Sequence, residues 1–150
     1  MEITATYRRQ PMRPIPERPP EPVVLPPTDP ATFAAPLELA VIRQRFNAGD
    51  YRGCVEPIEA LYFARRNTFH QGLLQYVVAL LQLKLGLVRT PRRLLGQALE
   101  LWKPYPAWQE GVDLALLAAH ARDLLAVLPE GVHSAPLDSV AEWWVPPPIL

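Results

Sequence analysis

The 150-residue chain has room for one domain with tails and enough length to bury a core. Its 15 Lys and Arg balance its 15 Asp and Glu, so net charge points to neither nucleic acid nor an anionic membrane as a partner. The single cysteine, Cys54, excludes an internal disulfide and a cysteine-based zinc cluster, and fits a reducing cytosol.

No basic segment followed by an apolar run opens the chain, so no signal peptide is expected. Proline divides the rest: ten of the 19 prolines fall in residues 1–36 and only four in 37–128. The expected organisation is a proline-rich extended arm (1–36), a helical domain (37–128) and a Trp/Pro-rich tail (129–150). The arm excludes helix, because proline removes a donor and fixes φ. Its Arg13-Pro14-Ile15-Pro16 and Pro19-Pro20-Glu21-Pro22 segments loosely resemble ligands of proline-reading modules, although a linker or packing arm is the plainer reading.

The first predicted helix runs from Leu37 to Phe46, with Leu39, Ile42 and Phe46 on one face and Gly49 as a left-handed cap. Asp50 caps a second, reaching about Ala64, whose buried side is Cys54, Ile58 and Leu61. Pro57 lies inside it and should free one carbonyl. Asn67 or Thr68 then caps the longest apolar stretch, Phe69–Gly86, which carries apolar residues on nearly every face and therefore belongs in the middle of a bundle. Its glutamines, His70 and Lys84 argue against a membrane span. Thr90-Pro91 predicts the start of a fourth helix to Trp102, burying Leu94, Leu95, Ala98 and Leu101. A fifth runs from Asp113 to Leu128, with Leu114, Leu117, Leu124 and Leu128 inside. No sheet is expected. The fold class is all-α, a compact multihelical bundle of about five helices. Gly49, Cys54, Ile58 and Leu61 recur 37 positions later as Gly86, Pro91, Leu95 and Ala98, which suggests a tetratricopeptide-like helical hairpin.

Glu56 and Glu59, at i and i+3, put two carboxylates on one helix face. Gln71, Gln75 and Gln82 form a polar stripe on the central helix, expected to face that pair. Arg52, Arg65 and Arg66 stand within one or two turns of the carboxylates and make a solvated ion-pair face the plainer alternative. Together the five polar residues are a possible ligand-binding cluster, with Glu56 and Glu59 the candidate metal ligands. His70, His120 and His133 show no metal-ligand spacing and read as structural or surface residues. Cys54 reads as an inert buried thiol. Ser134 and Ser139 sit in no nucleophile elbow, and Arg89, Arg92 and Arg93 form a small basic patch at a helix start. Trp143 and Trp144 are expected to dock on the body or on another subunit.

The segment FNAGDY (Phe46–Tyr51), followed by Glu56, Glu59 and FHQGLLQYVVALLQLKLG, resembles the small helical bacterial and archaeal family catalogued as domain of unknown function 309. The resemblance covers residues 37–128 and rests on Asn47, Gly49, Tyr51, Glu56, Glu59, Gln71, Gly72 and Gln75. It implies a multihelical bundle and no established activity. Where the family has two histidines this chain has Val55 and Gln82, and Tyr62 replaces a tryptophan. If the family's polar cluster holds a metal, the carboxylates and amides left here suit a hard cation such as Mg²⁺ or Ca²⁺.

The reading that follows is a cytoplasmic, non-catalytic module for protein–protein interaction or scaffolding. It has no catalytic residues and no nucleic-acid or membrane partner, and it uses Trp143 and Trp144 as contact residues. The alternative is a degenerate divalent-cation-dependent enzyme or ligand-binding protein built on Glu56, Glu59, Gln71 and Gln75.

Overall fold

The computed structural model describes residues 37–150. The proline-rich arm, and the motifs read in it, lie outside the described residues. Among the described residues six helices follow one another: α1 (Leu37–Asn47), α2 (Arg52–Arg65), α3 (Thr68–Lys84), α4 (Arg89–Trp102), α5 (Leu114–Val127) and α6 (Leu137–Trp143). Between α4 and α5 stands a two-stranded antiparallel hairpin, β1 (Trp108–Gln109) and β2 (Val112–Asp113), with Gln109 opposite Val112. The architecture is an all-α bundle, as expected. The short hairpin corrects the expectation of no strand, and α6 is a helix beyond the five read one by one from the sequence.

Helix starts and stops follow local chemistry. The Asp50 carboxylate accepts the Gly53 N–H at 2.9 Å and opens α2. Pro57 lies in the middle of α2 and cannot donate to the Gly53 carbonyl. That oxygen instead accepts from Arg45 Nη1 at 2.8 Å. The Asn67 side chain accepts the His70 N–H at 2.9 Å and opens α3; Asp113 does the same for Leu116 at 3.1 Å and opens α5. The α4 start differs from the one read from Thr90-Pro91. The helix begins at Arg89, because the Val88 and Arg89 N–H groups donate to the His133 carbonyl, at 2.9 and 3.3 Å, in the loop after α5. A distant carbonyl replaces the threonine hydroxyl as the cap.

α3 is the centre of the bundle. It packs on α2, α4 and α6, and ten of its 17 residues are buried. Phe69, Leu73, Tyr76, Leu80 and Leu83 meet Leu39, Ile42 and Phe46 of α1, Cys54 and Ile58 of α2, Leu95 and Trp102 of α4, and Leu117 and Leu124 of α5 in one continuous core. The two helix–glycine–helix units are both present, with α1 packed on α2 across Gly49 and α3 on α4 across Gly86. α3 and α4 approach closely at Gly72. A Cβ there would lie 2.4 Å from the Trp102 indole nitrogen, which donates to the Phe69 carbonyl at 3.2 Å.

The last segment is part of the body. Val140 of α6 is buried in the core, and the chain beyond α6 returns across the first half of the bundle. The Leu150 N–H donates to the Asn47 side chain at 2.8 Å. Among the described residues, no helix is long and apolar enough to cross a membrane.

Candidate functional site

The polar residues singled out in the sequence do not form one cluster. Glu56 and Glu59 line a groove of about 480 Å³ with Arg52, Val55, Val78 and Leu81. Gln71 and Gln75 line a different cleft, of about 340 Å³, with Gln97, Glu100 and Leu101 of α4. Val78 and Leu81 are thus the part of α3 set beside the two glutamates, Gln71 and Gln75 lean toward α4, and Gln82 lines neither groove. A stripe and its neighbours on a helix wheel are separated by a fraction of a turn, so a small rotation of α3 decides which helix it faces. The amide oxygens of Gln71, Gln75 and Gln82 are occluded without a hydrogen-bond partner among the described residues. The fully bonded network expected of a buried cluster is therefore not formed.

Among the described residues, no three His, Cys, Asp or Glu side chains form a group able to hold a metal ion. Two carboxylates beside Arg52 and three apolar side chains make a poor cage for a hard cation, which takes six or more oxygens or keeps its waters. The thermal midpoint of chelator-stripped protein is accordingly expected to stay flat on titration with Mg²⁺, Ca²⁺, Mn²⁺ or Zn²⁺, since only ligands of the native state raise it. A saturable rise abolished by Glu56→Gln would restore the cation reading.

Polar chemistry is concentrated instead in two networks inside the bundle. The first joins α3 to the hairpin. His70 Nε2 lies 3.0 Å from Glu110 Oε1, with the two side chains 0% and 1% exposed. Gln109 Nε2 donates to the other carboxylate oxygen at 3.4 Å, and the half-exposed Arg65 stands 3.7 Å away. Burial pushes the Glu110 carboxyl up. The bond to His70, its charge, Arg65 and Gln109 together outweigh burial, and the net shift is down. Glu110 and Gly111 have φ of +52° and +77°, the two-residue turn whose handedness matches the twist of a hairpin. A left-handed glutamate is unusual; its buried pair and the bond from Arg43 of α1 to the Gly111 carbonyl hold it there.

The second network joins α3, α5 and the C-terminal segment. The Tyr76 hydroxyl is 2.7 Å from His120 Nδ1, and His120 Nε2 is 2.6 Å from the Val145 carbonyl. A carbonyl only accepts, so Nε2 carries the hydrogen and the bare Nδ1 accepts from Tyr76. His120 is shifted down, chiefly by burial, against the Val145 bond and Asp123. Beyond this network, Trp144 leans on the Tyr51 ring at 6.3 Å, and Lys84 Nζ sits 4.6 Å over its face.

Cys54 and Arg92 are engaged within the fold. Burial, with Asp50 beside it, pushes the Cys54 thiol up to about 11, and its sulfur bonds the Ile42 and Asp50 carbonyls. Arg92 of the basic patch is engaged, donating to the Leu125 and Leu128 carbonyls at 3.0 and 2.8 Å and closing the end of α5. His133 is exposed. Sequence reasoning passed over Glu110 altogether; the sole local signal is a residue–glycine pair between two-residue strands, too short to show alternation.

Trp144 also forms one wall of an apolar groove of about 240 Å³ with Lys84, Leu137, Val140 and Ala141. Leu137, and Leu85 next to Lys84, are about 60% exposed. No family model, no curated protein and no solved structure matches the chain.

Proposed function

We propose that the chain is a non-catalytic module that binds a protein surface, either a partner's or a second copy's, through the face built around Trp144. The observation that carries this reading is the apolar groove between the end of α3 and α6, with its lining residue Leu137 left in water and Leu85, next to Lys84, exposed as well. Exposed apolar side chains gathered around a concave aromatic wall mark interaction sites, and tryptophan is over-represented among residues that dominate binding energy. Lys84 over the ring supplies one cation at the rim. The two buried networks speak for structure: His70, Glu110 and Tyr76 are closed to solvent, out of reach of any reacting molecule. A cytoplasmic location belongs to the same proposal. So does kinship with domain of unknown function 309, which rests on the FNAGDY and QGLLQ segments themselves.

Leu137→Asp tests the reading in the full chain. The side chain is exposed, so the substitution is expected to change stability by no more than about 0.5 kcal/mol. It is expected to abolish self-association in sedimentation equilibrium, or capture of a cross-linked partner that the native chain retains. A native chain that stays monomeric across the micromolar range and shares every cross-linked neighbour with Leu137→Asp would refute it.

A further inference from the structure

The groove walled by Trp144 is lined by one cation, Lys84, and no anion; its other walls are Leu137, Val140 and Ala141. None of the ion pairs among the described residues involves Lys84, whose ammonium lies over the indole. An occupant that fits is therefore apolar and carries a carboxylate at its edge. Extended proline-rich segments suit aromatic-walled grooves, since they lose little conformational freedom on docking.

The chain itself supplies such a segment. Residues 21–30 read Glu21-Pro22-Val23-Val24-Leu25-Pro26-Pro27-Thr28-Asp29-Pro30. Val23, Val24 and Leu25 are three branched aliphatic residues in a row, with prolines on both sides and an acid beyond them at each end. Glu21 and Asp29 are the only ionisable side chains between Arg18 and Leu37, so the charge of this segment opposes that of Lys84. The reach is sufficient as well. The described residues begin at Leu37, and the far end of α1 stands beside the groove, with Leu150 bonded to Asn47 and Tyr51 against Trp144. The way back from Leu37 is about 16 Å along the 11 residues of α1 and about 10 Å across to a neighbouring helix. The stretch from Leu25 to Leu37 spans about 37 Å in polyproline form, enough to bring Leu25 onto the groove.

We infer that residues 21–30 of the chain's own arm occupy the Trp144 groove, with the aliphatic run on its apolar walls and a flanking acid facing Lys84. This names an occupant for the face proposed above and rests on that reading. A tethered segment is present at an effective concentration of about 1 mM, so it outcompetes a free protein of equal affinity in the micromolar range. Docking is competitive: at an intrinsic affinity of about 0.1 mM the arm weakens association through the face about tenfold without abolishing it.

The test uses the full chain carrying Thr28→Cys with a nitroxide on that cysteine; Cys54 is fully buried and stays unlabelled. The amides of Leu137, Val140 and Ala141 and the indole N–H of Trp144 should be broadened by the nearby spin. Val24→Asp should abolish the broadening, because a charge replaces the aliphatic contact while the arm and its acids remain. Without the label, the same substitution should tighten association through the face about tenfold. Three results overturn the inference. They are no broadening at these groups, broadening that Val24→Asp leaves unchanged, and broadening found only between a labelled chain and a separate isotope-enriched one. The last would make the occupant a second copy's arm. If broadening is absent while Leu137→Asp still lowers self-association or capture, the arm reading falls and the face stands. Leu137→Asp that changes neither association nor broadening overturns both.

Discussion

Replacing His70 by alanine is expected to lower the unfolding free energy by about 3–5 kcal/mol. The ring is fully buried, and its loss removes the 3.0 Å contact to a carboxylate that is itself 1% exposed. What remains for Glu110 is a long bond from Gln109 and the partly solvated Arg65 at 3.7 Å, beside a new cavity. Breaking one side of a buried pair costs far more than the pair contributes, because the survivor keeps its desolvation penalty. Arg65→Ala, on the exposed side, is expected to cost about 0–1 kcal/mol. The pH dependence follows from the sign of the Glu110 shift. Its folded value lies below the unfolded one, so its contribution is complete above the ordinary carboxylate range and is lost as pH falls through the folded value. Urea denaturation at neutral and acid pH checks both: the native chain should lose stability in acid, and His70→Ala should lose less of it. A neutral-pH loss below about 1 kcal/mol in His70→Ala would mean that the pair does not hold the hairpin.

Gly72→Val is expected to be of similar size, about 2–4 kcal/mol, for a different reason. Position 72 faces Trp102 at a distance no side chain tolerates, and the indole is wedged among Tyr76, Leu95 and the Phe69 carbonyl. Valine forces the indole off its bond to Phe69 and pushes α3 from α4, the most extensively packed pair among the described helices. Gly72→Ala separates two effects. Alanine improves helix propensity by about 1 kcal/mol, yet still collides, so it should be destabilising by less than valine. Gly96, where a Cβ meets nothing within 4 Å, is the control: Gly96→Ala should stabilise α4. Thermal or urea unfolding of the three variants checks the order, which fails if Gly72→Ala is as stable as Gly96→Ala.

Much of this bundle is legible in the residues. Phe69–Gly86 reads as the central helix because a segment apolar on nearly all faces needs neighbours on all faces. The Asn67 cap reads from a side chain that satisfies its own helix start, the α5 start reads at Asp113, and Pro57 announces a free carbonyl. Features that depend on contacts between distant residues do not read out. The start of α4 is set by His133, and Glu110 adopts its backbone conformation for the sake of His70, 40 positions earlier. α6 is seven residues long, too short for a periodic signal beside two tryptophans and three prolines. The glutamine stripe is the instructive case. Its spacing shows correctly that the three side chains share a side, but spacing along one helix carries no information about which neighbouring helix lies there.

The order of packing bears on how the chain reaches this state. Successive helices from α1 to α5 each pack on the next, so most of the core forms between segments close in sequence, and such topologies fold fast. The hairpin turn and the C-terminal crossing close loops of 40 and 103 positions, through Glu110 on His70 and Leu150 on Asn47. Loop closure of that length is entropically costly before its contacts repay it, and a left-handed glutamate has little tendency to form its turn unaided. These two closures therefore belong after the barrier, when α1–α5 are already assembled. Weakening either one leaves the folding rate almost unchanged and appears as faster unfolding. The native lifetime of the protein is expected to follow its two fastenings, and the speed of its assembly its core.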